Sequence, residues 1–257
     1  GGIDDQVERA LAMGADIVDV GGESGVTDRP PVPAAEEAAR VVPLVERLVA
    51  EGVVVSVDTW KAEVARAALD AGASMINDVS GLVEPDVAAA CAESGAALVV
   101  MHTRALPKQK AFPGYDDVAA DVLAFLSERM AVARDQGVLD EQLVVDPGPD
   151  FAKTPAETVA ALRRLRDLAE LGRPVLLAAS RKDFLGALTG RPPAGRLAGT
   201  LAAIGEGVDA GAAIVRVHDV AATRDFLTVR SALRGEIEVP QELRLDQRLR
   251  RQAGTPA

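Results

Sequence analysis

Aromatic residues make up only 3% of this 257-residue chain, with one Trp, one Tyr and five Phe. Its core must therefore be filled by Val, Leu and Ala rather than by rings. Histidine occurs twice and cysteine once, which excludes an intrachain disulfide and leaves too few ligands for a zinc site of the usual kind. Cys91, in "DVAAACAESGA", falls on a helix face and reads as a buried structural thiol, compatible with a reducing cytoplasm. No apolar run reaches the roughly 18 residues that span a bilayer, and no basic stretch followed by an apolar one opens the chain. Basic residues are also in deficit: 28 Lys and Arg against 39 Asp and Glu give a formal charge of −11 and a pI of 4.8. Such a chain repels polyanions at long range, which argues against nucleic acid and membrane surfaces as partners. Any phosphate it binds must be held locally. The chain reads as a cytoplasmic protein that acts on small molecules.

What the sequence has in quantity is alternation. Short Val/Ile/Leu-rich runs, "DIVDVGG" from 16, "VVVSVDT" from 53, "SMINDVS" from 74, "ALVVMHT" from 97, "LVVDPG" from 143, "PVLLAAS" from 174 and "AIVRVHD" from 213, are each followed by a stretch of helical periodicity. This is the mark of repeated βα units and a parallel sheet, and a length of about 250 suits a single eight-stranded barrel. No linker-like segment divides it, so residues 1–235 are predicted to form one domain, followed by a charged tail over 236–257 that frays. Seven runs are one short of eight. The chain opens "GGIDDQVERALAMGAD", a loop end and a helix, so the expected fold is a (β/α)8 TIM barrel whose first strand is missing from this chain. An open doubly wound sheet gives the same alternation and stays open as an alternative.

In parallel βα proteins the C-terminal ends of all strands share one face, where chemistry is assembled from residues far apart in sequence. Here every run ends in polar side chains: Asp19 before "GGES", Asp58, Asn77 and Asp78, His102, Asp146, Ser180 to Lys182, and Arg216 to Asp219. A single terminal Asp most often caps the next helix, but seven such ends together point to a site. Asp58, Asn77 and Asp146 supply acceptors for a heterocycle with several N–H donors. Lys182, Arg216 and His218 supply charge for an anion. Arg216 and His218, one residue apart on a strand, are expected to point the same way. Arg181, pointing oppositely, is expected in a structural ion pair, His102 in rim hydrogen bonds rather than on a metal, and "RALPKQK" from 104 in a solvated loop.

The segments "VDVGGES", "SVDTWKAEVARAAL", "INDVSGL", "VVMHTRA", "DPGPDFAKT", "ASRKDFLG", "RLAGTLAA" and "IVRVHDV", in this order from about residue 12 to 230, resemble dihydropteroate synthase, the sulfonamide target of folate synthesis. The resemblance implies a transferase that joins 6-hydroxymethyl-7,8-dihydropterin diphosphate to p-aminobenzoate and releases pyrophosphate. By that resemblance Asp58, Asn77 and Asp146 grip the pterin ring, with Asp58 also favouring a pterin-methyl cation. Lys182 touches the pterin and lines the aminobenzoate pocket, Phe151 and Thr27 lie on the substrate side, and Arg216 and His218 hold pyrophosphate. It further implies Mg²⁺ as cofactor, with its principal protein ligand an Asn on the missing first strand, and a homodimer.

The sequence also departs from the family pattern. The Thr-Arg loop appears as "GESGVTDRPPV", making Thr27 and Arg29 its counterparts. "DPGPDFAKT" puts Asp150 where Gly is expected, and Asp183 replaces a Ser. These two acids either raise the cost of binding an anionic aminobenzoate or face solvent. Two alternatives remain: a non-catalytic pterin-binding paralogue, and the pterin-binding domain of a corrinoid-dependent methyltransferase, which has no need of "SRK" and "RVHD".

Overall fold

The structure is a computed structural model that describes residues 2–25 and 30–249. Seven strands, β1 (Ile17–Gly21), β2 (Val54–Asp58), β3 (Met75–Asp78), β4 (Ala97–Met101), β5 (Leu143–Asp146), β6 (Val175–Leu177) and β7 (Ala212–Val215), form one sheet in the order of the chain. Every neighbouring pair is parallel. That order excludes the doubly wound alternative, whose strand order must reverse. Helix α1 (Ile3–Met13) precedes β1. The crossovers then carry α2 (Ala34–Ala50), α3 (Ala62–Asp70), α4 (Asp86–Ser94), α5 (Val118–Asp135), α6 (Pro155–Arg163), α7 (Asp183–Thr189) and α8 (Leu197–Asp209), and α9 (Val220–Leu233) follows β7. Helix starts are written locally: Asp117 accepts from the amides of Ala119 and Ala120, and Thr154 and Glu157 form a reciprocal capping box.

The alternation of side chains along the strands builds two cores. Val55, Val57, Leu98, Val100, Leu143, Val145, Val175 and Leu177 face the helices. Met75, Val99, Val144, Leu176 and Ala178 form a second, smaller cluster, against which Ile17 of β1 and Ile214 of β7 pack. First and last strands can share a cluster only if the sheet curls around it, so the architecture is a curled half-barrel of seven parallel strands with β1 and β7 as its edges. Burial on both faces is why β2 to β6 read as nearly continuous apolar runs, while the edge strands β1 and β7 are only partly buried. Cys91 lies fully inside the helix-side core, and burial pushes its thiol pKa up to about 12, as expected of a structural thiol.

The chain divides into two compact units, residues 1–220 and 221–257. The second holds most of α9, and after Leu233 its described residues contain only a short 3-10 turn, Gln247–Leu249. No helix among the described residues is long and apolar enough to cross a membrane.

Candidate active site

The two-residue period that fills the inner cluster also fills the mouth above it. Asp19 follows Ile17 by two positions, Asp58 follows Ser56, Asn77 follows Met75, and Asp146 follows Val144. Arg216 follows Ile214, and its amide still bonds the Leu177 carbonyl on β6. All five therefore share the inner face at the C-terminal end of the sheet. Asp78, one position out of phase with Asn77, serves the backbone instead. Its Oδ1 accepts from the amides of Ser80 and Leu82 and from the Ser80 hydroxyl, shaping the loop after β3.

At the mouth the Arg216 guanidinium spans two carboxylates, with Nε donating to Asp19 Oδ2 at 2.6 Å and Nη2 to Asp58 Oδ2 at 3.1 Å. Asn77 Nδ2 also donates to Asp19 Oδ2, at 3.2 Å. Two buried oxygens, Asp19 Oδ1 and Asn77 Oδ1, have no partner among the described residues and are acceptors in want of donors. Burial first, and the neighbouring Asp19 charge second, push the Asp58 pKa up to about 7 against the pull of Arg216. Burial likewise lifts Asp146 to about 6, although the Gly148 amide donates to its Oδ1 at 2.7 Å and Lys182 lies nearby. Such acids change between accepting and donating hydrogen bonds close to neutral pH. Lys182 stands with Nζ 4.3 Å from the Phe151 ring centroid. Burial lowers its pKa, and Asp146 and Asp150 oppose the shift.

Several expectations need correction. Strand β6 ends at Leu177 and β7 at Val215, so Ser180 to Lys182 and His218 lie in the loops beyond. Lys182 is the residue that precedes α7. His218 is not placed by strand alternation but by Ser180, whose hydroxyl lies 2.9 Å from His218 Nδ1 and accepts from the His218 amide at 3.2 Å. Arg181 makes the expected structural pair, a two-pronged contact with Asp219 at 3.0 and 2.6 Å. Asp150 neither faces solvent as a free charge nor stands as an unbound acid beside the pocket. Held at φ +66°, it accepts from the amides of Asp183 at 2.5 Å and Phe184 at 3.3 Å, capping α7 from another loop. Asp183 is exposed and pairs with Arg196 at 3.0 Å. Thr27 and Arg29 lie outside the described residues.

Two features escape the sequence reading. Asp19 is not among the pterin acceptors inferred from sequence, although its Oδ2 ties Asn77 to Arg216; its phase with Ile17 is the available signal. The "RALPKQK" loop is not simply solvated, because the Lys108 side chain is largely covered, pairs with Glu23 at 3.0 Å and bonds the Ser24 carbonyl. Glu23 also accepts from Lys61 at 2.6 Å, and Lys61 reaches Glu37 at 2.5 Å. The "GGES" segment is thereby fastened to two other loops.

With this geometry in view, the family described as "Pterin binding enzyme" matches residues 3–218. The chain belongs to the pterin binding enzyme family. It is 43% identical over 248 residues to a probable bifunctional folylpolyglutamate synthase/dihydropteroate synthase of Haloferax volcanii, covering 93% of this chain but only 30% of that protein. It is 41% identical over 243 residues to inactive dihydropteroate synthase 2 of Mycobacterium tuberculosis, covering 90% of this chain and 75% of that one. Among solved structures, the dihydropteroate synthase of Xanthomonas albilineans with 4-aminobenzoic acid superposes with a TM-score of 0.85 at 44% identity, over 93% of this chain and 86% of that one.

Proposed function

We propose that this pterin-binding chain catalyses the dihydropteroate synthase reaction, transferring the pterin-methyl group of 6-hydroxymethyl-7,8-dihydropterin diphosphate to p-aminobenzoate. The observation that carries the reading is the meeting of three acceptors, the buried Asn77 and Asp146 and the partly buried Asp58, with two cations, Lys182 and Arg216, at one end of one sheet. In this reading the acceptors take the N–H edge of the pterin. The bond between the pterin methylene carbon and the diphosphate oxygen breaks, pyrophosphate keeping the electron pair. The amine nitrogen of p-aminobenzoate bonds to that carbon and gives up a proton to solvent. Ionised Asp58 offsets positive charge on the pterin, while Arg216 and His218 stabilise negative charge on the departing group; fixed charges of this kind are commonly the largest catalytic contribution.

Mg²⁺, expected from the resemblance, is a hard cation that usually shares its oxygen ligands between protein, substrate phosphates and water. Among the described residues no three His, Cys, Asp or Glu side chains converge to hold a metal, and Asp19 and Asp58 are already engaged by Arg216. These residues do not form a metal cage by themselves.

Asp146→Asn is expected to weaken binding of 6-hydroxymethylpterin by about 1–3 kcal/mol, the scale of losing one charged hydrogen-bond partner. Isothermal calorimetry measures this, and unchanged affinity would remove Asp146 from the pocket. The same titration carries a pH signature. With Asp146 lifted to about 6, the accepting carboxylate is present above that pH and lost below it. Asp58, lifted to about 7, titrates over the same range, so affinity should fall by more than tenfold between pH 7 and pH 5 in the wild type, and the fall should be roughly tenfold smaller in Asp146→Asn. A non-catalytic pterin-binding role is favoured by one finding, the 41% identity to an inactive mycobacterial relative. Product formation separates the two readings.

A further inference from the structure

Lys153 is the largest fully buried side chain among the described residues, 2% exposed, and the hydrogen bonds of its ammonium go to no carboxylate. Its Nζ lies 2.6 Å from His102 Nδ1, 2.9 Å from the Gly148 carbonyl and 3.1 Å from the Phe151 carbonyl, with the His102 carbonyl farther off at 3.5 Å, so the three donors of an ammonium each have a near acceptor. The loop it gathers carries left-handed backbone at Gly148, Asp150 and Ala152 (φ +62°, +66° and +52°). On its far side His102, fully buried, meets Asp121 through Nε2 at 2.8 Å, and Asp121 is gripped by both prongs of Arg104. The chain of contacts fixes the ring as the neutral Nε2–H form, donating to Asp121 and accepting from Lys153.

We propose that Lys153 is a positioning residue: with His102 it clamps the loop after β5 and so sets where Phe151 stands against Lys182. The inference rests on the proposed function for the identity of the ligand on that side, the aromatic amine. The Asp146 backbone is anchored by the strand pairing Met101↔Asp146, and only its Oδ1 is tied to the loop, through the Gly148 amide, whereas Phe151 lies wholly in the loop whose Gly148 and Phe151 carbonyls turn to Lys153. Removing the ammonium takes the donor from the Phe151 carbonyl and from His102 Nδ1 and leaves the Gly148 carbonyl with the Phe151 amide alone. The clamp therefore governs the aromatic-amine side more than the pterin side. Burial draws the Lys153 pKa down to about 7, with Asp146, Asp121 and Asp150 drawing it up and Lys182 down; three acceptors at Nζ favour the ammonium. Burial and the Lys153 charge push His102 down to about 4, against Asp121.

Because the chain has only two histidines, ¹⁵N NMR of the rings tests the clamp in the wild-type protein without any substitution. His102 should hold the neutral Nε2–H form from pH 8 to pH 5. An Nδ1–H ring, or a midpoint near the ordinary histidine value, overturns the proposal. In Lys153→Met the His102 midpoint should rise by about one unit or more, since a positive neighbour is lost while Asp121 stays. Calorimetry with 6-hydroxymethylpterin present should show p-aminobenzoate affinity down about tenfold in Lys153→Met and nearly restored in Lys153→Arg, with pterin affinity changed by less than about threefold. Equal losses for both ligands, or no loss of p-aminobenzoate affinity, overturn the aromatic-side role. If the wild type binds pterin but no p-aminobenzoate, the second-substrate assignment falls and that role with it. The His102 spectrum still reports separately whether the clamp exists. Should Lys153→Met fail to fold, the wild-type spectrum and the Lys153→Arg affinities decide.

Discussion

Replacing Arg216 and His218 together with alanine is expected to cut the preference for pterin diphosphate over phosphate-free pterin by a factor on the order of a hundred or more. Each charge-assisted contact to an anion contributes about 1.5–3 kcal/mol, and two are removed. The readout is the ratio of the two affinities rather than either alone, because Arg216 is also bonded to Asp19 and Asp58. Its loss leaves two carboxylates without their counter-charge, which disturbs pterin binding as well. The ratio cancels the part of that disturbance that falls on the pterin ring. Competitive titration of wild type and double variant with both ligands supplies it, and a ratio that survives within about threefold would mean that the diphosphate is held elsewhere.

Gly148→Ala should be among the most damaging single-methyl changes in the chain. Gly148 sits at φ +62°, and a Cβ there would stand 2.0 Å from the His102 carbonyl oxygen, a backbone atom with no room to yield. Overpacking of about 1–3 kcal/mol adds to about 1 kcal/mol for holding alanine in left-handed backbone. A total of about 2–4 kcal/mol lowers Tm by about 5–12 °C for a unit of this size. Differential scanning calorimetry of the variant tests this, and a Tm within about 2 °C of wild type would show that the turn is not held as described. A control at Gly95, where an added Cβ meets nothing within 4 Å, still bears the φ +76° penalty and should lose only the smaller, conformational part.

Why some of this is legible in the sequence and some is not follows from range. Strands β2 to β6 are readable because a sheet buried on both faces needs apolar residues at nearly every position, and runs such as "ALVVM" have no polar phase. Their ends are readable as a site because a parallel sheet gathers all C-terminal ends on one side. Finer placement needs the third dimension. "PVLLAAS" and "AIVRVHD" look like strands to their last letters, yet pairing stops at Leu177 and Val215, and His218 is set by Ser180 from 38 residues away. Asp19 resembles a terminal cap. Asp150 resembles a stray charge, while its partners are the amides of Asp183 and Phe184 in the next βα unit. Lys153 looks like an ordinary lysine before the Thr154 cap, because its partner His102 is 51 residues upstream. Lys108 is 84 residues from the carbonyl it bonds. In each case the local sequence is neutral and the deciding partner is remote.

The most direct test of synthase activity is chromatographic detection of 7,8-dihydropteroate after incubating the protein with 6-hydroxymethyl-7,8-dihydropterin diphosphate, p-aminobenzoate and Mg²⁺, with pyrophosphate counted in the same samples. A working synthase yields one pyrophosphate for each dihydropteroate, forms no product without p-aminobenzoate, and loses both in the Arg216 and His218 double variant. Pterin diphosphate that binds tightly but yields neither product nor pyrophosphate would contradict the proposed reaction and leave a pterin-binding protein without transferase activity.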